Sequence, residues 1–108
     1  MTKHPMTLVT IVCEKLAREA VTKLLREVGA HGWTLWEVEG SGAQGNRTGD
    51  IPEFTNIQVE VIVPPGVAET LLTRLEKEFF KRYAMVAYEG DIRVIRREKF
   101  CSRSCLLA

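Results

Sequence analysis

The pattern of apolar positions in the first third of the chain predicts a strand, a helix and a second strand. Leu8 to Cys13 is a short apolar run rich in β-branched residues, which predicts a strand. From about Lys15 to Val28, apolar residues recur at steps of three and four, the period of a helix with one apolar face. Gly29 and Gly32 follow, as glycine often does where a helix ends. Trp33 to Val38 then predicts the second strand.

The second half repeats this order. The run from Ile57 to Val63 alternates between apolar and polar residues and then becomes wholly apolar, which predicts a strand. Pro64 to Gly66 predicts a turn, and Val67 to Arg82 has the spacing of an amphipathic helix. Met85 to Tyr88 and Asp91 to Arg96 predict two short strands.

The order βαββαβ is that of the ferredoxin-like split motif. We therefore predict an α+β fold in which a four-stranded antiparallel sheet carries its helices on one face. The other face is open, and a neighbouring subunit commonly covers such a face. The 108 residues fit one domain, residues 1–108.

Composition excludes several classes of protein. Hydrophobic residues make up 45% and charged residues 27% of the chain, the balance of a globular protein. The net charge of +1 argues against nucleic acid as a partner, because binding through bulk charge needs a basic excess. No apolar run reaches the roughly 20 residues of a membrane span. Residues 1–6 lack the apolar segment of a signal peptide, so we expect a cytoplasmic location.

The segment 40–56 separates the two halves and is the main candidate for function. It holds four glycines among its first eleven residues and almost no apolar side chains there, which predicts a long mobile loop. Gly40 and Gly42 let backbone N–H groups approach an anion closely, Gln44 offers an amide, and Arg47 offers a forked positive charge. A plain flexible connection accounts for the same glycines, and the pattern alone does not choose.

Catalytic and metal-binding patterns are missing from the sequence. It contains no Gly-x-Ser-x-Gly, no His-Glu-x-x-His and no phosphate-binding Gly-x-x-x-x-Gly-Lys run. His4 and His31 are far apart in the chain, and Cys13 lies in an apolar strand as a small hydrophobic residue. We predict a protein without enzymatic activity and without a metal; a small phosphate-ester hydrolase is the catalytic alternative.

Two clusters near the C-terminus have open interpretations. Arg93 and Arg97 are expected on one face of an extended strand and Arg96 on the other, where they bind an anion or protect a solvated edge. Cys101 and Cys105 in the tail 98–108 are too few for a metal site, and they form either a disulfide or two free thiols.

Several of these stretches, taken in order, resemble the PII signalling proteins. The resemblance runs from about residue 7 to 101 and rests on Gly32 to Gln44, Gln58 to Pro64 and Asp91 to Arg96. The closer resemblance is to the PII-like branch associated with bicarbonate uptake and carboxysomes. The stretches similar to that branch are Val12-Cys13-Glu14-Lys15, Gly32-Trp33-Thr34-Leu35, Gly40-Ser41-Gly42, Phe79-Phe80-Lys81-Arg82-Tyr83-Ala84 and Phe100-Cys101…Cys105.

The resemblance implies a non-enzymatic homotrimer that binds an adenine nucleotide in each cleft between subunits. ADP or AMP is expected ahead of ATP or cyclic AMP, with bicarbonate as a candidate second ligand. Residues 40–56 correspond to the T-loop, which contacts a protein target in bicarbonate transport or the carboxysome. A membrane enters only indirectly, through a transporter. A structural scaffold that binds no ligand is the alternative.

The resemblance also assigns positions to the nucleotide. Thr34 and Glu60 are placed near the adenine and ribose. The phosphates are assigned to Gly40, Ser41, Gly42, Gln44, Arg47 and Arg96, and to the backbone of the B-loop, Ala84, Met85, Val86 and Ala87. Cys101 and Cys105 correspond to a redox pair.

Departures from the family pattern refine these expectations. The loop has no tyrosine, so uridylylation is not expected. The B-loop lacks the Gly-Asp-Gly-Lys that holds the terminal phosphates, so AMP, ADP or cyclic AMP is expected to bind at least as well as ATP. Gln44 stands where the branch has its first loop arginine. Three residues separate Cys101 from Cys105, where bicarbonate-transporter regulators usually have four, which favours the carboxysome-operon type.

Overall fold

A computed structural model describes residues 1–42, 45–46 and 55–101; for residues 41–42 and 45–46 it describes the backbone alone. The elements in chain order are β1 (His4–Glu14), α1 (Arg18–Glu27), β2 (Thr34–Val38), β3 (Ser41–Gly42), β4 (Gly45–Asn46), β5 (Asn56–Val63), α2 (Pro65–Arg74) and β6 (Met85–Val94). Four of the strands form one antiparallel sheet in the order β2-β5-β1-β6. This confirms the predicted ferredoxin-like α+β fold.

One face of the sheet is covered by both helices. Alternate residues of β1 and β5 point to this face, because successive side chains of a strand point to opposite sides. The buried core consists mainly of Val9, Ile11, Cys13, Ile57, Val59, Val61 and Val63 from the strands and Val21, Leu24, Leu25, Ala68, Leu71 and Leu75 from the helical segments.

The other face of the sheet is open in the single chain, as predicted. Its exposed large side chains include Trp36, Val86 and Tyr88, which expose 37%, 57% and 56% of their surface. Leu8 and Val12 of the central strand lie on the same face and are half-buried. This face therefore exposes large apolar and aromatic side chains to solvent in one copy.

The first helix begins slightly later than its apolar spacing predicts. Residues Lys15–Ala17 form a 3₁₀ turn, and the α-helix runs from Arg18 to Glu27. Gly29 ends it with a φ of 89°, a left-handed conformation that favours glycine. The backbone N–H of Ala30 donates to the carbonyl of Leu25 over 2.9 Å, which closes the last turn.

The second helix differs from its prediction at both ends. Pro65 is its first residue, because a proline fits the first turn of a helix, where its missing N–H costs nothing. After Arg74 the chain widens into a π-helical turn, Leu75–Phe79, in which the N–H of Phe80 donates to the carbonyl of Leu75 over 3.1 Å. Both ends of that turn are buried. No helix of the described residues is long and apolar enough to cross a membrane.

The prediction of two short strands after residue 84 is wrong, because β6 is one continuous strand. Gly90 pairs with Leu8 in the middle of it, and its neighbours Glu89 and Asp91 are polar because the strand lies at the solvated edge of the sheet.

The predicted arrangement of the basic cluster is also wrong. β6 ends at Val94, and a 3₁₀ turn, Arg97–Lys99, follows, so Arg97 does not share a strand face with Arg93. Arg96 lies between the two elements and pairs with Glu98 at 3.4 Å.

The start of the glycine-rich segment has regular structure that the sequence did not indicate. Ser41 and Gly42 pair antiparallel with Asn46 and Gly45. Residues 43–44 and 47–54 lie outside the described residues, and with them Gln44 and Arg47.

Phe100 and Cys101 pack against one end of the open face. Cys101 is buried with Met6 and Val94, and Phe100 packs against the same cluster. Cys101 is disulfide-bonded. Its predicted partner, Cys105, lies outside the described residues, so the pairing stays a prediction.

Cys13 is a free, buried thiol, as its apolar strand predicts. Burial, together with the nearby charge of Glu14, raises its pKa from 9.0 to about 12. We expect its alkylation at pH 8 to be at least about a thousandfold slower in the folded protein than in guanidinium chloride, since only the thiolate reacts. Peptide mapping after iodoacetamide treatment measures this. Rapid labelling of Cys13 in protein that stays folded would contradict the burial.

Candidate functional site

Thr34 and Glu60 lie directly opposite each other on β2 and β5. On the other side of Glu60 the register places Thr10 of β1, and Tyr88 of β6 follows. Because residues opposite each other in a sheet share a face, these four side chains form a row across the open face. Thr10 is buried, Glu60 is half-buried, and Thr34 and Tyr88 are exposed.

The row combines one carboxylate with three hydroxyl groups. A carboxylate accepts hydrogen bonds, and a hydroxyl both donates and accepts. Such a set can bind the hydroxyls and amino groups of a polar ligand. The structure therefore brings Thr34 and Glu60 together, and their shared role in binding stays a prediction.

A second group of candidate residues lies at one end of the sheet, where β1 and β2 end and β5 begins. The register places Val38, Asn56 and Glu14 side by side at that end of the sheet, and Ala84 hydrogen-bonds to Glu14 there. The segment from Gly40 to residue 55 therefore follows β2 and precedes β5 at this same end of the sheet. A Cβ on Gly40 would lie 3.2 Å from Nδ2 of Asn56, so the close approach of the two segments favours glycine.

Glu14 binds Ala84 through both its backbone and its side chain. The N–H of Ala84 donates to Oε2 of Glu14 over 2.7 Å, and the N–H of Glu14 donates to the carbonyl of Ala84 over 3.1 Å. Met85, Val86 and Ala87 are paired with β1 as part of β6. Of the predicted B-loop, only Ala84 thus lies outside a strand.

Lys15 connects both ends of the glycine-rich segment. Its backbone N–H donates to the carbonyl of Thr55 over 2.7 Å, and its Nζ donates to Oε1 of Glu37 over 2.6 Å. The hydrogen bond and the charge of Lys15 lower the pKa of Glu37. Because both groups are well exposed, the ion pair fixes geometry more than it adds stability.

Within one chain the predicted site residues that the structure describes occupy three separate places. Glu60 lies four residues along β5 from Asn56, which places it about 13 Å from the end of the sheet where Gly40 and Ala84 lie. Arg96 follows the far end of β6, a strand of 10 residues that spans roughly 34 Å. One nucleotide cannot reach both Ala84 and Arg96 of the same chain.

A shallow cavity of about 190 Å³ lies on the helical side. Arg74 crosses it to bind Glu27 at 3.0 Å and Glu78 at 2.8 Å, which ties the two helices together. None of the predicted site residues lines this cavity. Among the described residues, no three His, Cys, Asp or Glu side chains are grouped as metal ligands.

Glu14, Lys15 and Thr10 had no role in the predictions from sequence. The available signal was the Val12-Cys13-Glu14-Lys15 stretch, which carries part of the resemblance. Its contacts with Ala84, Glu37 and Thr55 depend on strand register, which the sequence alone does not give.

Known proteins similar to this chain agree with the fold. The family model for nitrogen regulatory protein P-II matches residues 6–99. A PII-like signalling protein from Thermus thermophilus is 39% identical, with a TM-score of 0.81 over 93% of this chain and 99% of that one.

Structures of CPII, a nitrogen regulatory PII-like protein from Thiomonas intermedia K12, are also similar. CPII bound to ADP, AMP and bicarbonate is 27% identical, with a TM-score of 0.84 over 92% of this chain and 96% of that one. CPII bound to ADP and bicarbonate is 28% identical, with a TM-score of 0.83 over 92% and 97%. The resemblance noted in the sequence is confirmed: the chain belongs to the nitrogen regulatory protein P-II family.

Proposed function

We propose that this protein is a non-enzymatic regulator that binds ADP or AMP, with bicarbonate as a second ligand, in clefts between its own copies. The observation that carries the proposal is the pairing of Thr34 with Glu60 on an open sheet face, in a chain of this family. CPII, with the same fold, binds ADP, AMP and bicarbonate. This similarity supports the same ligand class here.

The position of the site between copies follows from the separation of its residues. Because Ala84 and Arg96 lie at opposite ends of β6, a ligand that touches both must lie between two chains. The open face, with Trp36, Val86 and Tyr88 exposed, is the surface on which a second and third copy would pack. A homotrimer, as expected for the family, buries this apolar surface and completes three sites.

Each group of residues has a distinct task in this proposal. Thr34 and Glu60 bind the adenosine through hydroxyl and carboxylate hydrogen bonds. Backbone N–H groups at the start of the T-loop meet the phosphates, since backbone N–H groups that point into one concavity favour anions. The remaining phosphate-binding positions are Gln44, Arg47 and Arg96.

The signal passes through the T-loop, residues 40–56. Lys15 holds the end of this segment at Thr55 and pairs with Glu37 just before its start. A ligand at the loop base shifts the loop only if it binds one arrangement more tightly than another. The surface so formed or hidden acts on a protein target in inorganic-carbon uptake or the carboxysome.

Replacing Glu60 with Ala tests the proposed adenosine site. We expect Kd for ADP and AMP to rise by about tenfold or more, because a hydrogen bond to a charged group contributes about 1.5–3 kcal/mol. Fluorescence titration with a nucleotide analogue measures it. Glu69→Ala, the same change on the exposed surface of α2, is the matched control. Equal affinities in both variants would remove Glu60 from the site.

A further inference from the structure

Gly90 lies in the middle of β6 on the open face of the sheet, and nothing in the described part of the chain requires a glycine there. It pairs with Leu8 in a register that continues on both sides without an extra residue, so it marks no bulge. Its φ is not positive, since among the described glycines only Gly29 has a positive φ. A Cβ built on Gly90 would meet no described atom within 4 Å.

A glycine at this position is unfavourable for the single chain. Inside a strand, glycine loses more backbone freedom on folding than other residues and has no side chain to pack. Three features offset this loss elsewhere: a bulge, a left-handed backbone, or the close approach of another group. Gly90 has neither of the first two, and the described residues leave the space beside it open. The remaining reason is the close approach of a group outside these residues.

The surface around Gly90 is uncharged and mostly apolar. Tyr88 and Ile92 lie on either side of it along β6, and Leu8 and Ile62 continue its row across the sheet. Tyr88 is 56% exposed, and the other three side chains are half-buried. Because Gly90 carries no side chain, it leaves a hollow between Tyr88, Leu8 and Ile92. An apolar group fits this hollow better than an ionic one, since none of these neighbours offers a charge to pair with.

We propose that Gly90 is the point at which a second copy of this chain approaches the open face most closely, so that an apolar group of that copy fills the hollow. This rests on the proposed function, in which copies of the chain pack on this face. A second copy fits the surface because its own open face exposes Trp36 and Val86, an aromatic and an apolar side chain. Removing such surfaces from water stabilises the assembly.

Tight packing explains why the size of one residue matters here. The cores of stable interfaces are packed as densely as protein interiors, so added atoms at a point of contact force the surfaces apart. The same atoms meet no resistance where the space is open. A threonine in place of Gly90 therefore has opposite expected effects: it favours the strand in the single chain, and it weakens the assembly.

The test measures assembly of the wild type, Gly90→Ala, Gly90→Thr and the control Glu89→Thr by sedimentation velocity over a dilution series. Glu89 is exposed and precedes Gly90 on the same strand, so its variant places the same threonine on the opposite side of the sheet. We expect the protomer concentration at half-assembly to rise about tenfold or more for Gly90→Thr. It should rise less for Gly90→Ala and stay unchanged for Glu89→Thr. Circular dichroism shows whether each variant is folded.

A graded rise confined to the two Gly90 variants supports the proposal. Wild-type assembly in both of them, while folded, overturns it and leaves the proposed function intact, because the copies would then meet away from Gly90. Equal weakening by Glu89→Thr also overturns it, since the effect would not depend on the open face. If Gly90→Thr does not fold, Gly90→Ala decides by the same criterion. A wild type that stays a single chain at every concentration overturns the proposed homotrimer and this inference together.

Discussion

Replacing Tyr88 with Glu is expected to convert the proposed homotrimer into single chains of 12.2 kDa and to abolish the proposed nucleotide binding. Tyr88 is exposed on the open face, close to Val86 and Thr10. In a trimer that buries this face, the new carboxylate would lose its water without gaining a partner, which costs several kcal/mol. Binding is lost with the oligomer because no single chain assembles the site. Light scattering after gel filtration gives the mass.

Glu89→Lys is the matched control for that experiment. It changes the charge of the next residue, which points to the opposite side of the same strand. This variant should keep the mass and the binding of the wild type. If Tyr88→Glu also kept the wild-type mass, the copies would have to meet on some other surface.

Replacing Leu25 with Ala is expected to lower the free energy of unfolding by about 2–5 kcal/mol, the range for truncating a fully buried leucine. Leu25 is 0% exposed and lies in the core between α1 and the sheet. Urea denaturation at one fixed protomer concentration measures the change, since assembly contributes to stability.

Leu16→Ala is the control, because Leu16 is 63% exposed and lies just before the same helix. We expect it to change the free energy of unfolding by no more than about 0.5 kcal/mol. A loss for Leu25→Ala as small as that would contradict the packing of α1 on the sheet.

The order of elements could be predicted because apolar spacing depends on which face of each element is buried. β5 is clearest: Ile57 and Val63 are buried, and Gln58 and Glu60, between them, point to the open face. The pattern does not predict β6 as one strand, because an edge strand buries few side chains and Gly90 suggests a turn in its middle. It also fails at Pro65, where the pattern of a turn and that of a helix start are alike.

The candidate site was only partly accessible from the sequence. The resemblance picked out Thr34 and Glu60, and the register pairs them. Glu14 belonged to a motif without an assigned role, since its contact with Ala84 joins residues 70 positions apart. The grouping of Ala84 and Arg96 in one site is not visible in one chain, because the proposed site lies between two copies.

The most direct test of the central claim is calorimetric titration of the purified protein with AMP, ADP, ATP and cyclic AMP, each with and without bicarbonate. We expect saturable binding of ADP or AMP, strengthened by bicarbonate, and no tighter binding of ATP. A folded trimer that gives no heat with any of these nucleotides would contradict the claim, and would leave a scaffold built on the same fold as the better description.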